Sequence, residues 1–169
     1  KEDMLGDFRR KVLSFQPDLM VFSVVEDAYN QALSLLKEVE DLGVRHILGG
    51  VFPTNAPKRC MEDPEVNLIG LGEGENAVLR VAEAVRLSSP LEKIPGTWYR
   101  DPEGVVHKNP KDTLVDINKY RPDFSLFDKN RFYRPMGGKV FKMIPVETFR
   151  GCPFSCTYCN SPSQRTFSK

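Results

Sequence analysis

The first 90 residues alternate between two hydrophobic patterns, one helical and one typical of buried strands. Apolar residues recur at helical spacing in three segments, at 3–15, 28–43 and 73–88. Between these lie short runs in which nearly every residue is apolar, at 18–24, 44–50 and 66–72. Continuous apolar runs are typical of strands buried on both faces of a parallel sheet, and helical spacing indicates one buried face. The pattern therefore predicts an open α/β domain over residues 1–90.

The pattern changes after Pro95. Residues 96–110, GTWYRDPEGVVHKNP, place two short β-branched and aromatic runs around an Asp-Pro-Glu-Gly turn, which predicts a β-hairpin. Prolines interrupt residues 109–140, where no periodicity is sustained, so we expect residues 91–140 to form a hairpin and a linker that packs through its aromatic residues. The run VFKMIPVETFRG at 140–151 then predicts one further strand.

Charge and hydropathy exclude several classes of protein. The 169 residues carry 24 Lys and Arg against 23 Asp and Glu, so the net charge of +1 gives no electrostatic reason to expect nucleic acid as a partner. The longest apolar runs fall far short of the roughly 20 residues that span a bilayer. No apolar signal core follows the charged amino terminus, which predicts a cytoplasmic protein, and the sequence does not begin with Met, which indicates a fragment.

Small residues lie at the carboxyl end of each of the predicted strands. Ser23 lies near the end of the first strand, Gly49 and Gly50 end the second, and the segment GLGEGE at 70–75 begins in the last residues of the third. Ligands of open parallel sheets bind outside the carboxyl ends of the strands, which makes these residues candidates for a binding site. The GLGEGE segment is not the GxGxxG of phosphate loops and its carboxylates would repel phosphate, so it predicts a turn and a helix cap.

Three of the four cysteines lie within eight residues of one another. Cys152, Cys156 and Cys159 have the spacing C-x3-C-x2-C, whereas Cys60 stands far earlier in the chain. Iron–sulfur clusters take thiolate ligands, and three nearby thiolates leave one iron of a four-iron cluster open to another ligand. The alternatives are a structural zinc site with Cys60 as fourth ligand, or a loop without metal. The spacing differs from the paired C-x2-C of zinc knuckles, and Cys60 fits a small apolar residue on a helix.

The stretch RGCPFSCTYC resembles the cluster loop of radical S-adenosylmethionine enzymes. The resemblance implies that Cys152, Cys156 and Cys159 ligate a [4Fe-4S] cluster whose fourth iron binds S-adenosylmethionine, which is then cleaved to a deoxyadenosyl radical. Tyr158 matches an aromatic position near the adenine of that cofactor. Residues 141–169 would then begin a partial TIM barrel of the radical S-adenosylmethionine type.

The preceding domain resembles the cobalamin-binding subgroup of the same enzymes, through PDLMVFSVV, HILGGVFPTNAP and LIGLGEGENAVLRVAEA. The resemblance implies a Rossmann-like domain of the cobalamin-binding type in which Ser23, Gly49 and Gly50 lie against the nucleotide tail of cobalamin. The DxHxxG motif that supplies a lower ligand to cobalt is absent, and His46 and His107 fit structural positions. Three alternatives remain open: that motif lies upstream, the domain binds cobalamin without it, or the domain no longer binds cobalamin.

The implied activity is cobalamin-dependent methyl transfer or rearrangement on a small-molecule substrate, with flavodoxin or ferredoxin as the electron donor. Two alternatives compete with it. A related methylthiotransferase would carry further cysteines in its amino-terminal domain, where only Cys60 is available, and a non-catalytic α/β binding module would hold zinc instead of iron. Because the barrel strands that build a substrate pocket do not follow Lys169, we expect this chain to be inactive by itself.

Overall fold

The computed structural model describes residues 3–148, 150–152, 154 and 156–158. The chain divides into two compact units, residues 1–115 and residues 116–169, and each is described by itself. The helices are α1 (Met4–Phe15), α2 (Tyr29–Glu38), α3 (Val51–Asn55), α4 (Pro57–Cys60) and α5 (Gly74–Arg86). The strands are β1 (Leu19–Ser23), β2 (Arg45–Gly49), β3 (Leu68–Gly70), β4 (Thr97–Arg100), β5 (Val106–Lys108), β6 (Tyr133–Met136) and β7 (Lys139–Lys142).

The first unit is built on one five-stranded sheet in the order β1-β2-β3-β4-β5. Strands β1, β2 and β3 are parallel, as their continuous apolar runs predict. Strand β4 pairs antiparallel with β3, and β5 pairs antiparallel with β4. The predicted open α/β domain is confirmed, and the hairpin that follows Pro95 continues its sheet.

Helices cover both faces of this sheet, because neighbouring residues of a strand point to opposite faces. On one face Leu48 packs with residues of α1, α2 and the α3–α4 segment, including Val12, Leu36 and Cys60. On the other face Ile47 packs with Val81 of α5 and with the segment that follows that helix. Both strand residues are at most 1% exposed, so β2 forms the centre of the core.

The helix boundaries follow local signals in the sequence. Asp3 caps α1 by accepting a hydrogen bond from the N–H of Gly6. The α2 region ends in a 3₁₀ turn, Glu40–Leu42, capped by Gly43 at φ 64°, where only glycine avoids steric cost. The helical stripe predicted for residues 3–15 is only partly buried, since Phe15 is 82% exposed at the end of α1.

Among its described residues, the second unit has three 3₁₀ turns, at Ile117–Lys119, Phe124–Leu126 and Lys129–Phe132, followed by the β6–β7 hairpin. The strand predicted over 140–151 is confirmed only at its start. Strand β7 ends at Lys142 and pairs antiparallel with β6, and residues 143–148 form no regular element. Gly137 and Gly138, both at positive φ, form a tight turn that folds the chain back on itself. The described part of this unit contains no strand–helix repeat of a barrel.

No helix within the described residues is long and apolar enough to cross a membrane. The longest of them, α5, has 13 residues.

Candidate functional site at the carboxyl edge of the sheet

The predicted site residues Ser23 and Gly49 lie side by side at the carboxyl ends of β1 and β2. They are paired in register, and the N–H of Val24 donates a 2.8 Å hydrogen bond to the carbonyl oxygen of Gly49. One step further along, the N–H of Phe52 donates to the carbonyl oxygen of Val24 at 3.1 Å. The turn that leads into α3 is therefore fastened to the end of β1, and the side chain of Ser23 is exposed beside it.

The two glycines of this turn serve different purposes. At Gly49 the nearest atom to an added Cβ would be the backbone oxygen of Phe22 at 3.8 Å, so a methyl group would fit there without a clash. At Gly50 an added Cβ would lie 2.7 Å from the nitrogen and 2.8 Å from the oxygen of Val24. Gly50 also has φ 99° and ψ −167°, a region open essentially to glycine alone. The close approach of the chain to itself requires Gly50, whereas Gly49 is free of that constraint.

A third loop, between β3 and α5, joins the same edge. Gly70 lies next to β2, since an added Cβ there would be 3.4 Å from the side chain of Ile47. The N–H of Gly72 donates a 3.0 Å hydrogen bond to the hydroxyl of Thr54, which links this loop to α3. The three segments after β1, β2 and β3 thus form one continuous surface.

The GLGEGE segment at 70–75 forms the turn that its sequence predicts. Gly72 adopts φ 78°, and α5 begins at Gly74 with Glu75 in its first turn, where a negative charge is favourable. The carboxylate of Glu73 accepts a hydrogen bond from the backbone N–H of Val115. This contact anchors the end of the first unit to the start of α5.

A buried tyrosine braces the segment that follows Gly50. The ring of Tyr29 lies 4.6 Å from that of Phe52, and its hydroxyl donates a 2.6 Å hydrogen bond to Asp63. Burial and the hydrogen bond to Asp63 raise the pKa of Tyr29, so the phenol stays protonated and remains a donor. Neither this brace nor Thr54 is identifiable from the sequence, because both depend on contacts between separate elements.

The surface beside the open glycine combines one hydroxyl with exposed apolar side chains. Val25, two residues after Ser23, is 53% exposed, and Val51, two residues after Gly49, is 60% exposed. Exposed apolar side chains beside glycines, which have no side chain, suit a large, flat and partly apolar ligand. A cobalamin tail, with its ring system and its hydrogen-bonding groups, fits this combination.

Neither histidine belongs to this surface. His46 lies near the amino end of β2, where its Nε2 faces the N–H of Asn67 at 3.5 Å, and burial lowers its pKa. His107 lies in β5, 2.7 Å from the carboxylate of Asp101. Both have the structural positions that the sequence indicates.

The cysteine loop belongs to the second unit and is described in part. Cys152 is half-buried, Cys156 is exposed, and both are free thiols. Tyr158 is 89% exposed. Gly151 adopts φ 92°, which agrees with a tight turn at the start of the loop. Cys159 lies outside the described residues.

The remaining cysteine is not suited to bind metal. Cys60 is fully buried in the core of the first unit, and burial raises the pKa of its thiol. A metal ligand must be a thiolate, so this environment disfavours the zinc site with Cys60 as fourth ligand. Its role as a small apolar residue is confirmed.

Comparison with protein families identifies the domain that contains this edge. The family described as "B12 binding domain" matches residues 3–82, which include Ser23, Gly49, Gly50 and Thr54. The chain carries a B12 binding domain. The domain spans β1 to β3 and most of α5, so all three loops of the candidate site belong to it.

Relatives and solved structures extend this result. The anaerobic magnesium-protoporphyrin IX monomethyl ester cyclase of Synechocystis is 32% identical over 114 residues, which are 67% of this chain and 22% of that protein. The radical S-adenosylmethionine methyltransferase TsrM of Kitasatospora setae, solved with cobalamin and a [4Fe-4S] cluster, matches 97% of this chain and 35% of its own at 18% identity and a TM-score of 0.66. The cobalamin-dependent radical enzyme OxsB, solved with aqua-cobalamin and S-adenosylmethionine, matches 97% of this chain and 23% of its own at 21% identity and a TM-score of 0.65.

These matches confirm the resemblance to cobalamin-binding radical S-adenosylmethionine enzymes and the Rossmann-like fold of the B12 binding domain. The chain spans about a fifth to a third of the length of the proteins that it matches.

Proposed function

We propose that the carboxyl edge of the B12 binding domain holds cobalamin, and that the chain is part of a radical S-adenosylmethionine enzyme that transfers a methyl group to a small-molecule substrate. The observation that carries the proposal is the pairing of Ser23 with Gly49, where an added Cβ would meet no atom closer than 3.8 Å. A flat ligand group can approach the backbone closely at such a place.

The residues of the edge would act on the ligand in three ways. The hydroxyl of Ser23 can donate or accept one hydrogen bond to the nucleotide tail. Gly49 and the main chain of Gly50 leave room for a ring against the backbone, and Val25 and Val51 would cover its apolar atoms. When bound, cobalamin supplies the cobalt that carries a methyl group.

The cysteine loop would supply the second part of the activity. Cys152, Cys156 and Cys159 would hold a [4Fe-4S] cluster, with Tyr158 beside the nucleoside of S-adenosylmethionine. The exposure and free thiol of Cys156 support this role. The cluster, when present, supplies the electron that cleaves S-adenosylmethionine, and flavodoxin or ferredoxin in the cytoplasm would deliver that electron.

The substitution Gly49→Ala separates binding from folding. The Cβ would have its nearest contact at 3.8 Å, an ordinary van der Waals distance, so we expect the unfolding free energy to change by less than about 0.5 kcal/mol. The same methyl group would occupy the space proposed for the cofactor, so we expect the dissociation constant for hydroxocobalamin to rise at least tenfold. Absorbance titration of the chain and urea unfolding measure the two quantities.

Two results would contradict the proposal. One is a wild-type chain that folds but does not bind hydroxocobalamin. The other is a Gly49→Ala variant that binds as tightly as the wild type, because the ligand would then lie elsewhere.

A further inference from the structure

Thr54 lies where two of the three loops of the B12 binding domain meet. It is half-buried in α3, four residues after Gly50. Its hydroxyl donates a 2.7 Å hydrogen bond to the carbonyl oxygen of Gly50 and accepts a 3.0 Å hydrogen bond from the N–H of Gly72. Both contacts join this side chain to the backbone of glycines at the carboxyl edge of the sheet.

The directions of the two hydrogen bonds follow from the chemistry of their partners. A carbonyl oxygen can only accept and a backbone N–H can only donate, so the hydroxyl must donate to Gly50 and accept from Gly72. A hydroxyl has one proton and free lone pairs, and it can satisfy both partners at once. A methyl group of the same size could satisfy neither.

The carbonyl oxygen of Gly50 accepts a second hydrogen bond, whereas the N–H of Gly72 donates to the hydroxyl of Thr54 in another element. The backbone N–H of Thr54 also donates to the carbonyl oxygen of Gly50, at 3.3 Å. Leu71 precedes Gly72 in the β3–α5 loop, and its N–H donates a 2.7 Å hydrogen bond to the carbonyl oxygen of Gly96. The hydroxyl of Thr54 thus extends the anchoring of this loop by one residue, toward the turn after β2.

We propose that Thr54 is a positioning residue that fixes the β3–α5 loop beside the glycine turn and so preorganises the third side of the cobalamin site. A loop that is already held in its bound conformation loses less entropy when a ligand binds. The expected effect on cobalamin affinity rests on the proposed function. The two hydrogen bonds of the Thr54 hydroxyl are a property of the chain alone.

The test compares Thr54→Val with Thr54→Ser. Valine keeps the branched shape and removes the hydroxyl, whereas serine keeps the hydroxyl and loses one methyl group. We expect the amide of Gly72 to exchange with deuterium at least tenfold faster in Thr54→Val, and within about threefold of the wild-type rate in Thr54→Ser. We expect the dissociation constant for hydroxocobalamin to follow the same order, measured far below the unfolding temperature of each variant.

The outcomes distinguish the hydrogen bond between Thr54 and Gly72 from the proposed cobalamin site. An unchanged exchange rate at Gly72 in Thr54→Val, or equal effects of valine and serine, overturns the inference. An accelerated exchange with unchanged cobalamin affinity overturns the positioning role. If the wild-type chain does not bind hydroxocobalamin, the proposed function fails, and the exchange rates still decide whether Thr54 holds the loop.

Discussion

The substitution Gly50→Ala is expected to destabilise the first unit by about 2–6 kcal/mol, since strain at a glycine-only conformation and overpacking each cost about 1–3 kcal/mol. The added Cβ would lie 2.7 Å and 2.8 Å from backbone atoms of Val24, which cannot move aside as a flexible side chain could. Those atoms also form the hydrogen bonds that join β1 to Gly49 and Phe52. Relieving the clash would therefore break the contacts that assemble the site.

Urea unfolding of the chain, followed by circular dichroism, measures this loss. The matched control is Gly49→Ala, which makes the same chemical change one residue earlier, where the added Cβ has no contact shorter than 3.8 Å. A loss below about 0.5 kcal/mol for Gly50→Ala would place it among ordinary surface substitutions and would contradict the close approach of the two backbones.

The substitution Cys156→Ala is expected to prevent assembly of the proposed iron–sulfur cluster. After anaerobic reconstitution with iron and sulfide, the wild-type chain should hold about four irons, as a [4Fe-4S] cluster requires, and the variant should hold fewer than about one. The thiol of Cys156 is exposed and free, so its removal leaves the described contacts of the fold intact. Colorimetric iron and sulfide analysis measures the loss.

Cys60→Ala is the matched control for this prediction, because it removes a thiol that is buried in the core of the first unit. It should keep the full iron content. Full iron content in Cys156→Ala would contradict the assignment of the loop, and zinc in place of iron in the wild-type chain would favour a structural metal site.

Much of the first unit could be predicted because its signals are local. Continuous apolar runs identified β1, β2 and β3 as parallel strands, and the carboxyl ends of parallel strands lie at one edge, so Ser23 and Gly49 could be expected to meet. The turn glycines Gly43 and Gly72 could also be predicted, because few residues other than glycine adopt a positive φ.

Other features depend on contacts that no local pattern contains. Residues 49 and 50 are both glycine, and only the close approach of Val24 to Gly50 shows which of the two the packing requires. The role of Thr54 depends on the distance between two loops that lie far apart in sequence. The strand predicted over 140–151 ends early, at Lys142, and its partner is β6, which lies before the Gly137-Gly138 turn in a segment that was assigned to the linker.

The most direct test of the central claim, that cobalamin binds at the carboxyl edge, is amide hydrogen exchange of the chain with and without hydroxocobalamin. Mass spectrometry of peptides should show slower exchange in the three loops, at residues 23–25, 49–54 and 70–74. No slowing anywhere, or slowing confined to the opposite ends of the strands around Arg45 and Asn67, would contradict the account.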